Sequence, residues 1–159
     1  ATTTFVCTID RLDFSTETVT PAAANLSQRK DRLAAVSSSS YGYFGGGYFT
    51  PVAAFYSTID RLDFSTNTVS VPSATLSAAR RSLAAVGINR NQVFRSTPKF
   101  TNWPESATVG YFGGGLIPTP TNVSTFNRLD FSTETVSTPT PKLSQARDSL
   151  VAKIGRAHV

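Results

Sequence analysis

Three features of this chain carry groups able to do chemistry: a recurring Arg–Leu–Asp, two glycine triplets, and a cluster of aromatic and basic residues that occurs once. Arg61 and Asp63 lie two residues apart, as do Arg128 and Asp130. On a strand that spacing puts both side chains on one face, in reach of an ion pair or a proton relay. An active site is normally built once, whereas this pair recurs, with Arg11 and Asp13 as another copy. The pattern therefore reads as structural. The triplet Gly45-Gly46-Gly47 invites a phosphate-binding reading, but Tyr48-Phe49-Thr50 follows it with no Lys. A phosphate loop needs spaced glycines, Lys and Ser or Thr at a helix N-terminus. A single His (His158) and a single Cys (Cys7) supply too few ligands for a soft-metal or copper site, and no Ser–His–Asp triad is credible. The expectation is a chain without enzyme chemistry and without a cofactor or metal.

These residues are set in an internal repeat, the main signal in the sequence. Ser57-Thr58-Ile59-Asp60-Arg61-Leu62-Asp63-Phe64-Ser65-Thr66 returns 50 residues upstream from Cys7 to Thr16. It returns again as Asn127-Arg128-Leu129-Asp130-Phe131-Ser132-Thr133, offset by 67. A second element recurs as Leu26-Ser27 through Lys30 to Leu33, Leu76-Ser77 through Arg80 to Leu83, and Leu143-Ser144 through Arg147 to Leu150. A third appears twice, as Tyr41 to Gly47 and as Val109 to Gly115.

Composition supports strands. Hydrophobic residues make up 40% and charged residues 16%, with Ser and Thr carrying much of the polarity. Thr and aromatic residues suit pleated, half-buried surfaces, and Thr, Ser, Pro and Gly interrupt every helical window. Each unit of about 50 residues is expected to hold four strands, at 33–37, 42–45, 58–64 and 68–71 in the first complete copy. The segment Leu76–Val86 is expected as a loop entering a strand. The formal charge is +5, a mild excess spread along the chain with no nucleic-acid stripe. No apolar run reaches the length of a membrane helix.

The order of a strand, a strand ending in glycines, a strand bearing Asp, a turn and a strand resembles the kelch repeat. The kelch Arg falls on Arg80 and Arg147, with Lys30 in the first copy. The paired glycines fall on Gly45-Gly46 and Gly113-Gly114, and the turn Asp on Asp13, Asp63 and Asp130. The kelch Tyr is replaced by Leu12, Leu62 and Leu129, and the Trp by Val19, Val69 and Val136, so the version is divergent. The wording "YGYFGGG" with "STIDRLDFST" is similar to repeats in fibre and virion proteins of marine bacteriophages and in bacterial surface proteins. The resemblance implies an all-β, incomplete kelch-like β-propeller of four-stranded antiparallel blades, about three units in all. It also implies a virion or extracellular location.

On that phasing residues 1–24 supply two strands of a partial blade, 25–75 a complete blade, 76–140 another with an insertion at 87–108, and 141–152 the start of a further one. A closed ring of roughly 200–400 residues is beyond this chain. The tail 153–159, Lys-Ile-Gly-Arg-Ala-His-Val, is similar to a translated sequencing adapter and is expected to be non-native. The expected function is a binding or adhesion module for a glycan or protein, with no nucleic-acid partner and no membrane insertion. Alternatives are a structural scaffold in a larger assembly, or part of a propeller enzyme such as an oxidase. Candidate contacts are Arg95, Lys99, Phe100 and Trp103 in the insertion, and Tyr48 and Phe49 after the first glycine triplet. The insertion also admits the reading that its aromatics fold back onto the sheet. Gly45, Gly46, Gly113, Gly114, Asp13, Asp63, Asp130, Arg61 and Arg128 are expected to be structural. Open strand edges are expected to make the chain self-associate.

Overall fold

The computed structural model describes residues 6–88 and 108–150. Fourteen strands run in chain order: β1 (Thr8–Asp13), β2 (Thr18–Asn25), β3 (Ala34–Ser37), β4 (Tyr41–Gly45), β5 (Tyr48–Phe49), β6 (Ala54–Phe55), β7 (Ile59–Asp63) and β8 (Thr68–Ser70). They continue with β9 (Ala84–Ile88), β10 (Val109–Gly113), β11 (Leu116–Ile117), β12 (Thr121–Asn122), β13 (Phe126–Asp130) and β14 (Thr135–Ser137). A 3-10 turn at Thr50–Val52 is the one helical element among the described residues. None of their helices is long and apolar enough to cross a membrane.

The fold is all-β. Two four-stranded antiparallel sheets have the same order, β3-β4-β7-β8 and β9-β10-β13-β14. Two-stranded ribbons accompany them: β1-β2, β5-β6 and β11-β12. Among the described residues the sheets form no closed ring. Leu76–Leu83 is a loop leading into β9, as the Pro-containing stretch before it and its copies in the other units indicate.

The strand ends follow local chemistry. Asp63 Oδ1 accepts from the Ser65 amide (2.8 Å), the Ser65 hydroxyl (2.6 Å) and the Thr66 amide (3.1 Å), so the carboxylate winds the chain into the β7–β8 turn. Asn67 closes it with φ +53. Asp13 and Asp130 build the same turn with Ser15 and Ser132. The Ser hydroxyl is the largest influence on each carboxyl, and all three titrate below the ordinary 3.8, Asp130 at about 2. The folded chain therefore holds fewer protons than the unfolded chain between about pH 4 and pH 2. Stability contributed by these turns is complete above that window and drains away as pH falls through it. Thermal melts from pH 5 downward should show the loss, and Asp130→Asn should flatten the dependence; an unchanged slope would count against the turns as its source.

The two sheets share one core of Ala34, Val36, Tyr43, Ile59, Leu76, Leu83, Phe112 and Leu129. Strand β3 packs beside β9. Close approach requires glycine at position 45, where a Cβ would lie 2.7 Å from the Phe112 ring of the second sheet. Tyr43, fully buried, stacks on Phe131 of the second sheet with ring centroids 5.0 Å apart and planes 7° apart. Such a pair contributes roughly 0.5–1.5 kcal/mol beyond its buried area. Burial raises the Tyr43 phenol well above its ordinary value, and the neighbouring Glu134 carboxylate adds to the effect. Glu134, in the β13–β14 turn, accepts hydrogen bonds from Tyr43 (3.3 Å) and from Arg61 of the first sheet.

Loop segments strap one sheet to the next. Leu76 N–H donates to Ser57 O, Arg80 N–H to Tyr56 O, and Gly47 N–H to Arg80 O. The Arg80 side chain then enters the second sheet, donating to Gly114 O (3.2 Å) and to Thr125 O (3.4 Å) and Oγ1 (3.3 Å). In the preceding strap Lys30 Nζ lies 2.7 Å from Asp60 Oδ2, both side chains fully buried. The second unit has Asn127 at the Asp60 register, and its Oδ1 accepts from Ser77 N–H at 2.7 Å. Arg32, Ser82 and Ser149 occupy one register and all have φ near +50. Ser82 N–H donates to Arg32 O and Ser149 N–H to Ser82 O, each at 2.8 Å, forming a main-chain ladder from strap to strap.

Candidate functional site

The residues that break the repeat stand out against those that keep it. The β5–β6 ribbon and the β11–β12 ribbon occupy the same place in their units, each leaving a glycine triplet. Equivalent main-chain bonds, Tyr56 N–H to Gly47 O and Val123 N–H to Gly115 O, fix their correspondence. Tyr48 pairs with Phe55 in the first ribbon; Leu116 pairs with Asn122 in the second. Tyr56 corresponds to Val123, and Phe49 to Ile117. Only the first ribbon is aromatic, and all four of its rings are half-buried.

Tyr48 and Phe55 meet edge to face with centroids 4.9 Å apart. Arg81, from the strap between the sheets, lays its guanidinium over both: Cζ is 4.2 Å from the Tyr48 centroid and 5.1 Å from that of Phe55. Each such contact contributes roughly 0.5–2 kcal/mol, more as water is excluded. Arg81 Nε is buried and has no hydrogen-bond partner. The main chain of Arg81 is fixed from the other side by a two-way bridge to Leu116. The corresponding residues in the other straps are Asp31 and Asp148, so the charge sign is inverted at this one position. The result is a cation held flat on two rings, with its Nε shielded from solvent and unpartnered. A guanidinium so oriented suits a carboxylate or another planar anion that reaches its terminal nitrogens.

The sequence-expected contacts divide. Tyr48 belongs to this cluster, and Phe49 pairs with Ala54 in the same ribbon. Arg95, Lys99, Phe100 and Trp103 lie outside the described residues, as do most of the 87–108 insertion and the 153–159 tail; the insertion joins β9 to β10. Arg81 was not among the expected contacts. Its signal was available as a basic residue where two other copies carry Asp.

The repeated residues are spent on the scaffold. Asp13, Asp63 and Asp130 hold turns. Arg61 bonds Glu134 and Ser70, and Arg128 bonds Asp130 at 2.8 Å. Gly46 and Gly114 have φ +71 and +65, and Gly45 and Gly113 lie against aromatic rings. No three His, Cys, Asp or Glu side chains converge on a metal-sized site among the described residues. A scan of protein-family models finds no match to the chain, and a search of curated proteins finds no significant match.

Proposed function

We propose that the chain is a non-catalytic binding module built on consecutive blades of a kelch-like β-propeller. In this reading the Tyr48–Phe55–Arg81 cluster grips an acidic sugar residue of a glycan. The observation that carries the reading is Arg81 itself: a stacked guanidinium with an unpartnered Nε, placed where the other units carry Asp, beside a ribbon that alone is aromatic. Two sheets of identical strand order joined by equivalent straps support the propeller assignment. A rigid repeating scaffold that presents a variable ribbon is a common way to place recognition on loops. Aromatic faces stack on sugar rings while the guanidinium fork takes the carboxylate. The net charge of +5 favours encounter with anionic chains. A phage-fibre or bacterial-surface setting fits this chemistry, as the wording of the repeat suggests.

A glycan array of neutral, sialic-acid and uronic-acid oligosaccharides tests the proposal. Binding should be confined to the acidic members. Arg81→Ala should weaken it at least tenfold, about 1.4 kcal/mol, with Arg81→Lys restoring little because an ammonium lacks the planar fork. Equal binding to neutral glycans, an Arg81→Ala variant that binds as the parent does, or no acidic glycan retained would each overturn the assignment.

A further inference from the structure

The three copies of the Arg–Leu–Asp strand behave differently, and the difference follows what each one faces. Arg61 turns to Glu134 of the neighbouring unit. Arg128 and Arg11 have no such Glu before them and fold back on their own Asp130 and Asp13, at 2.8 and 3.8 Å. Arg128 Nε is buried without a partner. The residue at the Glu134 register in the N-terminal ribbon is Glu17, also at φ +53, and it is exposed. Phe14, at the register of the stacked Phe131, is 88% exposed. The straps repeat the theme. Lys30 and Arg80 are buried in the sheet that follows each of them, whereas the Arg147 side chain is exposed and, among the described residues, bonds Gln145. Asp10, at the register of the buried Asp60, is exposed as well.

We propose that these are the two halves of one joint, and that a second copy of this chain closes it head to tail. The β1–β2 ribbon of one copy seats against the β9-β10-β13-β14 sheet of the other, as β13–β14 seats against the first sheet. Phe14 lies on the β10 face at the register of Tyr43, Glu17 takes Arg128, and Asp10 takes Arg147 as Asp60 takes Lys30. The charges are complementary at both polar contacts, and every pairing copies a contact already present within the chain. Such a joint is heterologous, so it closes into a ring or continues as a string. This inference rests on the repeat geometry and is independent of the ligand assigned to Arg81.

Light scattering after size-exclusion chromatography, on the 159-residue chain from about 1 to 100 μM, tests it with Asp10→Arg and Arg147→Asp. Each variant alone sets like charges across the joint and should associate at least tenfold more weakly than the parent. An equimolar mixture of the two restores opposite charges at one joint and leaves the other native, so association should return; the double variant in one chain should also associate. Both side chains are exposed, so melting measured at concentrations low enough for the parent to be monomeric should be unchanged. If either variant melts lower, Asp10→Asn and Arg147→Gln should weaken association at parental melting temperature. A parent that stays monomeric throughout, single variants that associate like the parent, or a mixture that stays apart would each overturn the joint.

Discussion

Asp60→Ala is expected to destabilise the chain by about 3–5 kcal/mol, the usual cost of removing one partner from a buried ion pair. Lys30 Nζ and Asp60 Oδ2 are 2.7 Å apart, and neither side chain reaches solvent. Without the carboxylate, Lys30 keeps only the long contact to Thr58 Oγ1 at 3.5 Å, and Ser27 N–H loses its acceptor. Against a typical total of 5–15 kcal/mol, such a loss removes a large part of the margin. The second unit offers the remedy. There Arg80 is buried without a carboxylate and spreads its donors over Gly114 O, Thr125 and Ser77. Burial pulls its pKa below the ordinary guanidinium value. Combining Lys30→Arg with Asp60→Asn transplants that arrangement and should recover much of the loss. Urea denaturation of the single and paired variants measures both effects; a cost under about 1 kcal/mol for Asp60→Ala would show that the pair does not hold the strap.

Gly46→Val is the second large effect, at about 3 kcal/mol or more. Gly46 has φ +71, a conformation that costs an L-residue roughly 1–2 kcal/mol and a β-branched one more. Any Cβ would also lie 2.7 Å from Arg80 O and 3.0 Å from Leu83 Cδ2. Arg80 O accepts from Gly47 N–H at 2.9 Å, so retreat of that carbonyl loosens the strap between the sheets. Overpacking adds roughly 1–3 kcal/mol. Thermal melting of Gly46→Val beside the parent checks the sum; coincident curves would mean that the backbone relaxes at no cost.

The strands were legible because the repeat writes each one more than once. The Asp–Ser–Thr turn and the glycine triplets fixed their ends, and the four strands of the first sheet fall inside or within one residue of the expected ranges, whereas the short β5–β6 ribbon was expected only as a loop. What stayed hidden was long-range and compensated. Lys30 and Asp60 are 30 residues apart, and the second unit keeps a basic residue while exchanging Asp for Asn. Either position alone looks like ordinary drift. The left-handed residues of the straps are Arg32, Ser82 and Ser149, and without glycine nothing in their identity announces the geometry. Arg81 gave no signal of its own within its unit because it follows the recurring basic residue Arg80 and reads as its companion; its stacking depends on a ribbon from the preceding unit. The regular registers drew attention to shared residues, whereas the candidate site lies where one copy departs from the others.

The strap ladder has an evolutionary corollary. Its hydrogen bonds join Arg32 O to Ser82 N–H and Ser82 O to Ser149 N–H, using main-chain atoms alone. That seam survives the exchange of one module for another, provided that the side-chain contacts beside it, such as Tyr43 on Phe131 and Arg61 on Glu134, still match. Whole modules can then be duplicated, lost or shuffled in the gene with the docking grammar intact, while their outer ribbons diversify.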